Sequence, residues 1–202
     1  MTADPHAATR GPDARARRDE ILHRREHSLE LQLPFLLHRF GRERMPRIVP
    51  ILVGSFHQYF YENRAPIEDA EILDFVATLA DELKALTDSG QRALFYAGVD
   101  LAHVGLHFGD TARISDSGLP HIEARDRQLL DSILDGDEQR LFEHMAEDRD
   151  SRRICGYPSM YTMFAAMRRA GWVLRGQCLD YRQAVDPKSD CIVTFASACW
   201  SR

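Results

Sequence analysis

Two textures alternate along the chain. Short, almost wholly apolar runs stand between longer segments whose apolar residues recur every three or four positions. The runs "RIVPILVG" (47–54) and "RALFYAGV" (92–99) read as short strands covered on both faces. "WVLRGQCLDYRQ" and "DCIVTFASACW" read as two closing strands joined by the turn-rich "AVDPKSD". Helical periodicity marks "EHSLELQLPFLLHRFG", with Leu29, Leu33, Leu36, Leu37 and Phe40 on one stripe. Ser28 is placed to cap its start, Gly41 to end it, and Pro34 has to sit in an early turn or kink the axis. The same period predicts a helix in "PIEDAEILDFVATLADELKALTDSG", where Ile72, Val76, Leu79, Leu83 and Leu86 share a face. Three more follow in "LPHIEARDRQLLDSILDGD", "DEQRLFEHMAED" and "YPSMYTMFAAMRRAG". Strands alternating with helices predict an α/β fold, a layered sheet flanked by helices.

Residues 1–19 stand apart. They contain no leucine, isoleucine, valine or aromatic residue, and read as a disordered leader before a domain over 20–202. The three aspartates in this stretch argue against a transit peptide, and no apolar run resembles a signal sequence. A chain of 202 residues is long enough to bury a full core. A formal charge of -5 offers no basic face for nucleic acid or anionic lipid, and no apolar run approaches a membrane span. None of the four cysteines forms a Cys-x-x-Cys pair, so reduced thiols in the cytoplasm are the expectation.

Nine histidines invite a search for acid–base or metal chemistry. In "FYAGVDLAHVGLHFGD" an apolar run ends on Asp100, and His103 follows three residues later. Ligands in open α/β sheets bind beyond the carboxyl ends of strands. A histidine there exchanges protons near neutral pH, and a neighbouring carboxylate orients its ring. The plain alternative is an aspartate capping a turn beside a surface histidine. His107 is placed to join His103 on one side of the turn. In "RRICGYPS", Cys155 precedes a helix whose positive end favours a thiolate; the alternative is a small buried hydrophobe. His27, at a helix start, either faces a cleft or takes part in the cap. His23, His38, His57, His121 and His144 lie in polar surroundings and read as solvated. No Gly-rich phosphate loop, Gly-x-Ser-x-Gly elbow or His-Glu-x-x-His motif is present.

Taken in order, "REHSLELQLPFL", "IVPILVG", "DLAHVGLHFGD", "ICGYPSMYTMFAA" and "LDYRQAV…DCIVTFAS" resemble the Memo family, called AmmeMemoRadiSam system protein B in prokaryotes. The resemblance runs from about Glu20 to the C-terminus. It implies an α/β architecture shared with class III extradiol dioxygenases, non-haem iron enzymes, and hence a metal-dependent oxidoreductase if the chain is active. It implies that Asp100 and His103 match the family's Asp-x-x-His, with His103 in the acid–base position, and that Cys155 matches a metal-binding cysteine. The family's "PHAGY" and "GPSHH" segments, each carrying a histidine ligand, have no counterpart here. The chain therefore resembles an N-terminally incomplete Memo domain, its C-terminal two-thirds. Fe(II) or Cu is the implied metal, and weak binding is expected with two ligands absent. A homo-oligomer, or a partner supplying the missing part, follows from the same gap. The composite name implies a functional link to AMMECR1-like and radical SAM proteins, and animal relatives suggest a non-enzymatic adaptor as the other reading. The family's closing "VGYAS" reads "VTFAS" here, with Thr194 in place of glycine.

Overall fold

The computed structural model describes residues 20–201. The expected leader, 1–19, lies outside them. The chain divides into two compact units, 1–52 and 53–202.

In the first unit the predicted helix is broken in two: α1 (His27–Glu30) and α2 (Gln32–Phe40). The start is capped by Glu26 rather than Ser28: the Glu26 carboxylate accepts the Ser28 amide at 2.7 Å. A carboxylate at this place also favours the positive helix end. The break at Leu31 puts Pro34 in the first turn of α2, where a missing N–H costs no intrahelical bond. Gly41 ends α2 at φ 71°, a left-handed position that suits glycine.

The second unit carries α3 (His57–Glu62), α4 (Ala70–Asp88), α5 (Leu119–Leu134), α6 (Glu138–Asp148) and α7 (Tyr157–Arg169). Three strands, β1 (His103–Val104), β2 (Arg175–Asp186) and β3 (Cys191–Ser201), make an antiparallel sheet in the order β1-β3-β2. The α/β reading with a sheet flanked by helices holds, and the four long helices fall where periodicity places them. α4 packs on α7, α7 on α6, and α5 on both α6 and β2. Their apolar faces close one core around Leu129, Leu141, Met145, Tyr161 and Phe164. Ala102, Val104, Ile122 and Ile192 form a second, smaller cluster under β1.

The predicted inner strands differ. Neither 47–54 nor 92–99 belongs to the sheet. Ala93, Phe95 and Val99 pack on the core, whereas Leu94 and Tyr96 face outward. The period-2 alternation of a strand is there, with one face covered instead of two.

Candidate active site

Leu101 and Ala102 are locked to β3 through Thr194. The Leu101 amide donates to the Thr194 carbonyl at 2.8 Å, and the Thr194 amide donates to the Ala102 carbonyl at 2.9 Å. The Thr194 hydroxyl completes the clamp by accepting the Ala102 amide at 2.8 Å, fully buried. This fixes the two residues between Asp100 and His103. β1 then pairs His103 with Val193.

The His103 ring is held from both sides. Its Nδ1 lies 3.2 Å from the Leu101 carbonyl and 3.1 Å from the Arg153 carbonyl. Carbonyl oxygens only accept, so these partners assign the proton to Nδ1 and leave Nε2 as the exchanging atom. Nε2 stands 3.9 Å from Asp100 Oδ2, beyond hydrogen-bond reach. Phe108 meets the His103 ring edge-on at 5.1 Å, and also meets His107 at 4.9 Å. His107 thus shares a neighbour with His103.

The 149–155 loop forms the facing wall. Arg149, Asp150 and Arg153 all adopt left-handed backbone, at φ 53°, 56° and 53°. Such residues cost of order 1 kcal/mol or more each and persist only where surroundings force them. Three anchors do so. Arg152 pairs with buried Asp126, which also accepts the Tyr181 hydroxyl at 2.9 Å. Arg153 bridges the Asp110 carboxylate at 2.7 Å and the His103 carbonyl at 3.2 Å. The Ile154 amide donates to Asp150 Oδ1 at 2.6 Å. Burial pushes the Asp110 pKa up, but the Gly105 amide and Arg153 outweigh it and hold the carboxyl below its usual range.

Cys155 comes next, and Gly156 explains the Cys-Gly pairing. A Cβ at position 156 would stand 2.7 Å from the Asp100 carbonyl oxygen and 2.8 Å from Val99 Cβ. Only glycine lets the loop come this close, which brings Cys155 against Asp100. Burial pushes the Cys155 thiol pKa up, with the Asp100 amide pulling the other way. Of the two readings, a helix-start thiolate and a small buried hydrophobe, the raised pKa goes against the first, since α7 begins two residues later, and the residue's exposure goes against the second. Asp100 thus neighbours both His103, at 3.9 Å, and Cys155. His27 belongs to the first unit, at the start of α1, with Nδ1 3.9 Å from Glu26 Oε1.

Periodicity gives no sign of Asp150, His57 or Tyr157, which join Cys155 around a cleft of about 260 Å³. His144, read as solvated, is half-buried, its Nε2 3.3 Å from Arg152. The available signal was the run "DRDSRRIC", whose charges sit too close to a cysteine and a buried helix to be all solvated.

An iron or copper centre needs about three protein donors converging on one side. Among the described residues no three His, Cys, Asp or Glu side chains are so gathered. By themselves Cys155 and His103 supply fewer donors than such a centre needs.

A helix-flanked antiparallel sheet presenting an Asp-x-x-His against a Cys-Gly loop defines an α/β protein of Memo type. The profile of the Memo-like protein family matches residues 10–199, and the chain belongs to that family. It is 30% identical over 172 residues to a "MEMO1 family protein" of Methanosarcina acetivorans, covering 85% of this chain and 53% of the relative. It is 29% identical over 184 residues to one from Thermococcus onnurineus, covering 89% and 57%, and 23% identical over 178 residues to one from Aquifex aeolicus, covering 88% and 41%. The chain spans about half the length of the curated relatives it matches. Among the described residues no helix is long and apolar enough to cross a membrane.

Proposed function

We propose that this chain, as an AmmeMemoRadiSam system protein B, carries the acid–base half of a dioxygenase-like pocket. Its carrying observation is the His103 ring, oriented by two carbonyls on Nδ1 with Nε2 turned to Asp100 and the Cys155 loop alongside. In this reading His103 moves a proton to or from a small substrate, Asp100 orients charge beside it, and Cys155 is one donor toward Fe(II) or Cu. The other donors lie outside the described residues, upstream or on a partner polypeptide. The place of work is the cytoplasm, in company with AMMECR1-like and radical SAM proteins, as the composite family name suggests. The purified chain, loaded with Fe(II) or Cu and dialysed, is expected to retain far less than one metal per chain by elemental analysis. Stoichiometric, tightly held metal would overturn the half-site reading.

One observation favours an adaptor reading. Leu94, 81% exposed, lies in an extended segment outside the sheet, the kind of edge another polypeptide covers. If that is its whole role, His103→Gln leaves complex formation with a co-expressed partner intact.

A further inference from the structure

The cleft beside Cys155 holds two polar groups that the acid–base pair does not use. Tyr157 is 1% exposed and lines the cleft, and its hydroxyl has no hydrogen-bond partner among the described residues. Such a buried donor is costly while it stays unmatched. Asp150 lines the same cleft, half-buried, and its carboxylate accepts the Ile154 amide at 2.6 Å. Arg152 is the cation that faces it, with His57, Asp148, Tyr157 and Cys155 as its other titratable neighbours, and none closes an ion pair with it. Burial raises its pKa, the mark of a carboxylate short of compensation. The floor is aromatic: Phe60 and Tyr157 lie tilted at 5.4 Å, and Phe56 meets Tyr157 edge-on at 6.1 Å.

We propose that this cleft binds a small organic cation, a protonated amine on a compact aromatic or aliphatic body that also carries a hydrogen-bond acceptor. The ammonium pairs with Asp150, the body lies on Phe56 and Phe60, and the acceptor takes the Tyr157 O–H. An anion would meet the Asp150 carboxylate, and a neutral molecule would leave it unpaired. Aromatic surroundings add attraction for a cation. About 260 Å³ falls just below the span of drug-sized pockets, roughly 300–1,000 Å³, which limits the ligand to a small molecule. The proposal goes beyond the acid–base reading and stands without His103.

The test uses the full ¹⁵N-labelled chain with 2-phenoxyethylamine as probe and 2-phenoxyethanol as its uncharged counterpart. The amine is expected to shift the Ile154 and Tyr157 amides saturably, and the alcohol to bind at least tenfold more weakly. Asp150→Asn keeps an acceptor for the Ile154 amide and suits the left-handed backbone. It should weaken the amine at least tenfold, and Tyr157→Phe should weaken it several-fold, while His103→Gln leaves it unchanged. Equal binding of amine and alcohol, unchanged amine binding in Asp150→Asn, or no shift of these amides at tens of millimolar would each overturn the proposal. Loss of binding in His103→Gln would instead tie the cleft to the acid–base pair and overturn its independence.

Discussion

Thr194 stands where the family resemblance leads one to expect glycine, and the structure gives it work that glycine has no atom to do. Its hydroxyl accepts the buried Ala102 amide, in the two-residue gap between Asp100 and His103. Thr194→Val keeps the shape and removes the acceptor. The stranded amide is expected to cost about 1–3 kcal/mol in urea unfolding, with Thr194→Ser close to the parent. The same scale decides the behaviour of Cys155. Its raised thiol pKa means less thiolate at neutral pH than an unperturbed thiol has, so iodoacetamide should label Cys155 more slowly than the model peptide "ICGYP". The gap should close as pH rises through the raised pKa, followed by mass spectrometry of the labelled peptide. Equal rates at neutral pH would show that the sulfur is not desolvated. The residue types of the site were legible in the sequence, because Asp-x-x-His and Cys-Gly are local. The state of the sulfur was not, because it depends on Val99 and Asp100, more than fifty positions away.

The decisive element is the 149–155 loop, which periodicity reads as a mere break between two helices. Its left-handed residues are held by the Asp126–Arg152 pair, which reaches the loop from α5. Asp126→Ala removes the nearest partner of the buried Arg152 charge and leaves it only Asp148 at 3.7 Å and His144 at 3.3 Å; breaks of buried pairs cost up to about 3–5 kcal/mol. Because the Arg152 and Arg153 carbonyls receive the His103 amide and ring, the variant should also blur the ring's single tautomer in ¹⁵N spectra. His144 adds a pH dependence. Burial lowers its pKa, and Arg125 and Arg152 lower it further. The unfolded chain therefore takes up this proton first as pH falls below about 6.5, the free value. Stability from this group is complete above that pH and is lost on the way down to the lowered folded pKa. Urea midpoints should fall across that window in the parent and fall less in His144→Gln. An unchanged slope in the variant would remove His144 from this account. Helices were legible at this scale because one face of each reports burial every three to four residues. Runs 47–54 and 92–99 were half legible: apolar alternation reports which faces are covered, but a strand also needs a backbone partner, and sequence alone does not name one.

At the scale of the molecule, a three-stranded sheet closed on one side by β2 supports the site, while 92–99 runs extended outside it. Leu94 is 81% and Tyr96 55% exposed on that segment, and opposite them Ala93 and Phe95 reach the core. Extended backbone with apolar side chains on its open face is the form that pairs with another chain. Alone in solution, the chain should cover the edge with a second copy of itself. Light scattering after size exclusion is expected to show a mass that rises with concentration, and Leu94→Lys should return it to the monomer without lowering the urea midpoint, because the side chain contributes little to the folded core. A monomer at every concentration would mean that this edge does not drive association, and the adaptor reading would lose its physical basis.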